Sequence, residues 1–379
     1  MGPIRGSKSF KKSAPLSEPQ PSDWWPHFAQ RFQGSLKDST DPQCFESMFK
    51  MSTKTFGYIC SLVKEEMMVK CANFTDLNGN SFSLYDMVAI ALRRLGSGES
   101  QQSIGNLVNV KKMTVARLTR RFVDALNVHG LHHLSWPSTE AEMEDIKCQF
   151  EKIGGIPNCC GAIDTTHILM SVVSTDPSKK MWFDREKNQT MTLQAIVGPD
   201  LRFHNITAGS PGCLTDERIL KSSAFFELCN KGERLNGKQR VLSEGNKIEE
   251  YIIGNSGFPL LKWLLTPYRG RRLCNSEVKF NEMLLRTHKV ANEAFVKLKE
   301  NWKIIKGVLW RPNKDRLPMI ILACCILHNI LIDKEDEVQD QLVFSNCRDL
   351  AYRPLFCDSD DDQNGSLLRD KIAVHLSTP

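Results

Sequence analysis

Residues 161–170 read Gly-Ala-Ile-Asp-Thr-Thr-His-Ile-Leu-Met, with a single acid set in an apolar, β-branched run. Such a run predicts a buried strand. A carboxylate inside a buried strand is costly unless it is paired or holds a metal ion, so Asp164 marks a site and not merely a core position. Two later stretches look built to meet it. Residues 251–260, Tyr-Ile-Ile-Gly-Asn-Ser-Gly-Phe-Pro-Leu, read as a second short strand ending in a glycine-flanked turn that presents Asn255. Residues from about 279 to 306 have a helical period and carry Glu293 among Val290, Ala294, Phe295 and Leu298. Two strand-borne acids and one helix-borne acid around divalent metal would make a phosphoryl-transfer site, because metals held by carboxylates clamp the attacking and leaving oxygens. Here the middle member is an amide.

The chain of 379 residues is 41% apolar, enough for one large core or two smaller ones. The longest apolar run, 317–332, is shorter than the ~18 residues a membrane span needs and contains His328 and Asn329, so a core helix is expected and no membrane partner. The basic N-terminus lacks an apolar segment, which speaks against a secretory signal. Thirteen scattered cysteines with no Cys-x-x-Cys pair predict reduced, buried thiols in an intracellular protein and argue against zinc. A net charge of +6 permits nucleic-acid contact without requiring it.

Four segments are expected. Residues 1–43 form a disordered, basic and Pro-rich N-terminus with a Trp24-Trp25 segment that docks on the body or on a partner. Residues 44–135 have helical periodicity, and within them 103–122 has the rhythm of a helix-turn-helix with a polar turn near 109–112. Arg117, Arg120 and Arg121 on its second helix are candidate DNA-backbone contacts; the competing reading is a helical bundle with a solvated basic face. Residues 136–333 carry the Asp164 strand, a hairpin predicted over 191–208, a helix from Asp216, the Asn255 strand and the Glu293 helix. Asp216 is a possible metal ligand, but an acid in a first helical turn also stabilises the helix by roughly 0.3–1 kcal/mol, and that structural role is favoured. Residues 334–379 read as an acidic, flexible tail with a short helix near 367–375.

Strand, hairpin, helix, strand and late helix is the order of an α/β, ribonuclease H-like mixed sheet, here preceded by an α-helical, helix-turn-helix-like domain. The local sequences carry a resemblance as well. Residues 150–167 (Phe-Glu-Lys-Ile-Gly-Gly-Ile-Pro-Asn-Cys-Cys-Gly-Ala-Ile-Asp-Thr-Thr-His), 251–268, 280–299 and the closing Ala-Cys-Cys-Ile-Leu-His-Asn at 323–329 resemble PIF/Harbinger transposases and the nucleases derived from them, in the DDE superfamily. The resemblance implies a divalent metal, Mg²⁺ or Mn²⁺, held by two Asp and a Glu; Asp164 and Glu293 match the first and third. Asn255 stands where the second Asp belongs, and Phe258 replaces the usual Tyr.

An amide lowers the formal charge of such a site from three to two, and a loss of a few kcal/mol of metal-centred stabilisation slows cleavage ~10²–10⁴-fold. The chain also resembles plant proteins of the antagonist-of-like-heterochromatin-protein type. That resemblance implies a domesticated, non-cleaving transposase in the nucleus, with the cytoplasm as second compartment, a MYB/SANT-like partner and Polycomb repressive complex components. The alternatives are a metal-dependent endonuclease hydrolysing DNA phosphodiester bonds, and a DNA-binding module acting through the helix-turn-helix.

Overall fold

The computed structural model describes residues 21–29, 42–71, 74–172, 177–242, 245–310, 314–334, 357, 359 and 361–377. The N-terminal third is helical: α1 Pro21–Ala29, α2 Pro42–Phe49, α3 Thr53–Cys71, α4 Leu84–Ser97, α5 Gln101–Leu107 and α6 Lys112–His129. The punctuation is local chemistry. Ser83 and Asp86 form a reciprocal capping box at the start of α4, Gly98 closes it in the left-handed region, and Ser100 caps α5 through the Ser103 N–H. Between α5 and α6 the chain turns at Asn109, with φ 54°, and a Cβ at Gly105 would meet the Val110 carbonyl oxygen at 2.6 Å. This is a helix-turn-helix whose close approach requires glycine.

α1 belongs to this body. Trp24 and Trp25 are buried, Trp24 stacks on Phe56 with centroids 5.1 Å apart, and its indole N–H donates to Asp86 Oδ1 at 2.9 Å. Of the two dockings expected for the Trp24-Trp25 segment, the one on the body is what the structure has: two indoles and Phe28 bury enough apolar surface to offset ordering one short helix. Residues 1–20 and 30–41 lie outside the described residues.

After α7 (Glu140–Gly154) come β1 Cys159–Ser171, β2 Thr190–Val197 and β3 Phe203–Pro211, then α8 Asp216–Lys221, α9 Ala224–Asn230, the small β4–β5 ribbon (Arg240–Val241, Lys247–Ile248), β6 Tyr251–Gly254 and β7 Leu264–Leu265. α10 Asn275–Asn301, β8 Leu309–Trp310, α11 Leu317–Asp333 and α12 Gln363–Ser377 follow. The main sheet has the order β3-β2-β1-β6-β7, with β1–β2 and β2–β3 antiparallel and β1–β6 and β6–β7 parallel; β8 pairs with the far end of β1. This is the ribonuclease H-like order.

Strand side chains alternate between faces, and here the alternation sorts the chemistry. Ala162, Ile168, Leu193, Ala195 and Val197 join the core shared with α10 and α11; Ile163 and Ile196 join Leu220 of α8 and Phe225 of α9 on the opposite face.

The helical portion and the α10/α11 face of the sheet share one large apolar core, and the α8/α9 face carries a smaller second cluster. Across their junction Asn127 Nδ2 donates to the Met319 carbonyl at 2.9 Å, Arg316 pairs with Asp124, and Tyr58 hydroxyl, His133, Asp333 and Arg202 form a continuous chain of polar contacts. In the C-terminal segment the short helix expected near 367–375 is α12, longer at both ends and docked on the body. α12 lies on α10 and β7 with Leu368, Ile372, Ala373 and Leu376 buried, and Arg369 stacks 4.1 Å from the Tyr268 ring centroid. The acidic run before it hid a period-3.6 apolar face that packs. Residues 335–356 lie outside the described residues.

Candidate functional site

The mid-strand acid is positioned by register. Asp164 is on β1 opposite Ala195 of β2, with an even number that sends its side chain to the α10 face. β6 runs parallel to β1, pairing Ile163 with Gly254, so the residue that follows β6 reaches the same level. A side chain at Gly254 would press on Phe258 and Ile163, so the strand ends tightly against β1.

Asn255 and Asp164 meet, and their contact has a direction. Asn255 Nδ2 donates to Asp164 Oδ1 at 2.7 Å, while Asn255 Oδ1 accepts from the Gly257 N–H at 2.8 Å. A carboxylate accepts only and a backbone N–H donates only, so both bonds are made in this amide orientation alone. The turn thus holds the amide oxygen away from Asp164 and aims the amine at it. Asp164 Oδ1 also accepts from the Thr165 N–H at 2.8 Å.

α10 brings a histidine to the other carboxylate oxygen. His288 Nε2 stands 3.9 Å from Asp164 Oδ2 and 2.9 Å from the Ile163 carbonyl oxygen. A carbonyl only accepts, so Nε2 carries the proton, which points at the main chain of β1. Further along the same helix, Lys299, itself buried, donates to Thr166 Oγ1 at 2.6 Å and to the His167 carbonyl at 3.1 Å, tying α10 along β1. Glu293 lies five residues beyond His288, about 140° around the helix at ~100° per residue. Its carboxylate is 3.2 Å from Lys289 Nζ on the same helix.

Asp216 lies elsewhere. Gln194 Nε2 bridges the Asp216 carbonyl, at 3.0 Å, and Thr165 Oγ1, at 3.2 Å. Gln194 and Thr165 belong to the α8/α9 face of the sheet, opposite the one that carries Asp164, so Asp216 is a buried residue of the first turn of α8, on the far face of the sheet from Asp164. Period-two alternation put it there.

The donor set does not fit a divalent ion. Mg²⁺ asks for hard oxygens in near-octahedral geometry; Asn255 offers Asp164 an N–H, Glu293 faces a lysine, and among the described residues no three His, Cys, Asp or Glu side chains gather closely enough to hold a metal.

Arg117, Arg120 and Arg121 are all exposed on α6. Arg120 is 3.9 Å from Asp124, which also holds Arg316. Sequence reasoning missed His288, Lys299 and Gln194, which are single polar residues within apolar periods. Their only signal is that a polar side chain on a buried face needs a partner.

The sequence profile of the DDE superfamily endonucleases matches residues 163–329. The chain is 51% identical over 357 residues to the Arabidopsis thaliana Protein ALP1-like, covering 94% of this chain and 86% of that one. It is 41% identical to the Arabidopsis thaliana protein Antagonist of like heterochromatin protein 1, covering 93% and 89%. The HARBI1 protein of Bos taurus, whose name describes a nuclease, is 25% identical over 65% of this chain and 66% of its own. No solved structure matches. Among the described residues, no helix is long and apolar enough to cross a membrane.

Proposed function

From the premise that this chain belongs to the DDE-superfamily endonuclease family of transposase-derived, ALP1-like proteins, we propose that its nuclease centre is disarmed and that it acts through protein partners in chromatin regulation. The observation that carries this reading is the Asn255 amine on Asp164 Oδ1 at 2.7 Å. In an acidic pair both residues are acceptors, and a cation between them relieves their repulsion. With an amide in the second place, the hydrogen bond itself satisfies Asp164, and the carboxylate's affinity for a cation falls. The turn then keeps Asn255 Oδ1 occupied by the Gly257 N–H, so the amide does not present its oxygen in place of the lost one.

The chromatin part of the proposal draws on the relative named for antagonism of like heterochromatin protein, 41% identical over nearly the whole chain. It extends to a nuclear location, to a MYB/SANT-like partner and to Polycomb-type complex components. A second reading, a metal-dependent endonuclease, is favoured by one fact: Asn255 is isosteric with Asp and already stands beside Asp164, so a single change restores the pair.

The test is cleavage of plasmid DNA with Mg²⁺ and with Mn²⁺. The natural protein is expected not to cut, Asn255→Asp to cut, and Asn255→Asp/Asp164→Asn to lose that activity. Cleavage by the natural protein that disappears on Asp164→Asn would overturn the disarmed reading in favour of the endonuclease.

A further inference from the structure

The helix-turn-helix has a feature that phosphate contact leaves unused. Residues 74–82 form a small hairpin, closed by a Thr75–Ser81 bridge and a Phe82 N–H to Phe74 carbonyl bond at 3.1 Å. The Leu77 N–H donates to the Asn109 carbonyl at 3.1 Å, so the hairpin is fastened to the turn between α5 and α6. Between hairpin and α6 lies a cleft of about 370 Å³ walled by Phe74, Leu77, Met113, Lys111 and Arg117.

Leu77 and Met113 are 56% and 57% exposed there, large apolar side chains left in water on either side of one cleft. The charge is one-sided. Lys111, Lys112, Arg117 and Arg121 crowd the first turns of α6, and none has a carboxylate partner among the described residues. Asp76, the one acid lining the cleft, is engaged by its own hairpin: Oδ1 accepts from the N–H groups of Asn78 and Asn80 at 2.8 and 2.9 Å, and Oδ2 from Asn80 Nδ2 at 2.9 Å.

We propose that this cleft docks an acidic peptide segment of a partner protein, with a bulky apolar side chain seated between Leu77 and Met113 and carboxylates on Lys111 and Arg117. A nucleic-acid backbone matches the cations and leaves the two apolar walls uncovered, whereas an acidic segment with a Leu or Phe satisfies both. The inference is independent of the Asp164 site, since a chain that cuts DNA would present the same cleft.

The experiment is fluorescence anisotropy on the full chain with three probes: a labelled peptide of Asp and Glu with a central Leu and Phe, a poly-glutamate of the same length, and a labelled duplex oligonucleotide. The Leu/Phe peptide is expected to bind in the micromolar range and about tenfold more tightly than poly-glutamate. Lys111→Ala/Arg117→Ala and Leu77→Ser/Met113→Ser are each expected to weaken it about tenfold, with melting temperatures unchanged because all four side chains are exposed. Should the apolar double variant melt early, Met113→Gln alone carries the test. Equal binding of poly-glutamate, tighter binding of the duplex, or indifference to the apolar substitutions would each overturn the proposal.

Discussion

In Asn255→Asp the N–H that reaches Asp164 Oδ1 becomes a second anionic oxygen at the same place. One charge-assisted hydrogen bond is lost and a like-charge contact replaces it, a cost of about 1–3 kcal/mol for partly buried groups. We expect the variant to melt several degrees below the natural protein in metal-free buffer and to recover most of that loss on addition of Mg²⁺ or Mn²⁺, while the natural protein gains nothing. A metal-dependent rise in melting temperature of the natural protein would contradict the account. His288 shapes the response as well: its Nε2 proton is directed at the Ile163 carbonyl, so it can orient β1 against α10 without being consumed by Asp164.

At the scale of the element, the C-terminal helix shows how a polar stretch is held. Arg369 donates to the Thr266 and Pro267 carbonyls while lying on Tyr268, the Tyr268 hydroxyl donates to Asp370, and a Cβ at Gly365 would sit 2.8 Å from the Leu261 carbonyl oxygen. Just ahead of it, the Cys357 N–H donates to the Ser256 carbonyl, one residue past Asn255, and Arg269 reaches both carbonyls. Cys357 and Arg269 therefore brace the turn that carries the amide, just ahead of α12 in the chain. Truncating fully buried Ile372 to Ala should cost about 2–4 kcal/mol of docking, read as faster amide exchange over 363–377 and over the 255–258 turn together. Protection lost from the helix alone, with the turn unchanged, would show that the two are not coupled.

We expect the whole molecule to unfold as one unit, because the helical portion and one face of the sheet share a core and the Tyr58–His133–Asp333–Arg202 chain crosses their junction. A second buried histidine contributes to its acid sensitivity. His328 lies within α11, fully enclosed, with Nε2 donating to the Leu201 carbonyl at 2.9 Å, and burial pushes its pKa down to about 4. The unfolded chain binds this proton near pH 6.5 and the folded chain does not until about pH 4, so stability falls as pH drops through that window. The shift corresponds to at most about 3 kcal/mol. Urea midpoints measured from pH 7 to 4 should decline in a single transition, and His328→Asn should flatten the decline; an unchanged slope would place the acid sensitivity elsewhere.

What the sequence determined by itself was whatever local periodicity and residue chemistry specify. The β-branched run around Asp164, the Gly-Asn-Ser-Gly turn and the apolar period through Glu293 are enough to order the elements as a ribonuclease H-like fold and to single out the amide in the place of an acid. What only the tertiary structure decided was which way each polar side chain faces and what it meets. For Asp216 local chemistry favoured a helix-stabilising acid over a metal ligand, and the period of two along β1 and β2 fixes which face of the sheet it packs against. Glu293 shares a helix with His288 yet points to Lys289, since residues five apart on a helix diverge by about 140°. The indoles of α1 and the helix near 367–375 were legible as local signals, but only the folded structure fixed where each packs, because a few buried anchors outweigh a polar average. The direction of the Asn255 amide is set by the Gly257 N–H, a backbone donor that exists only once the turn has closed.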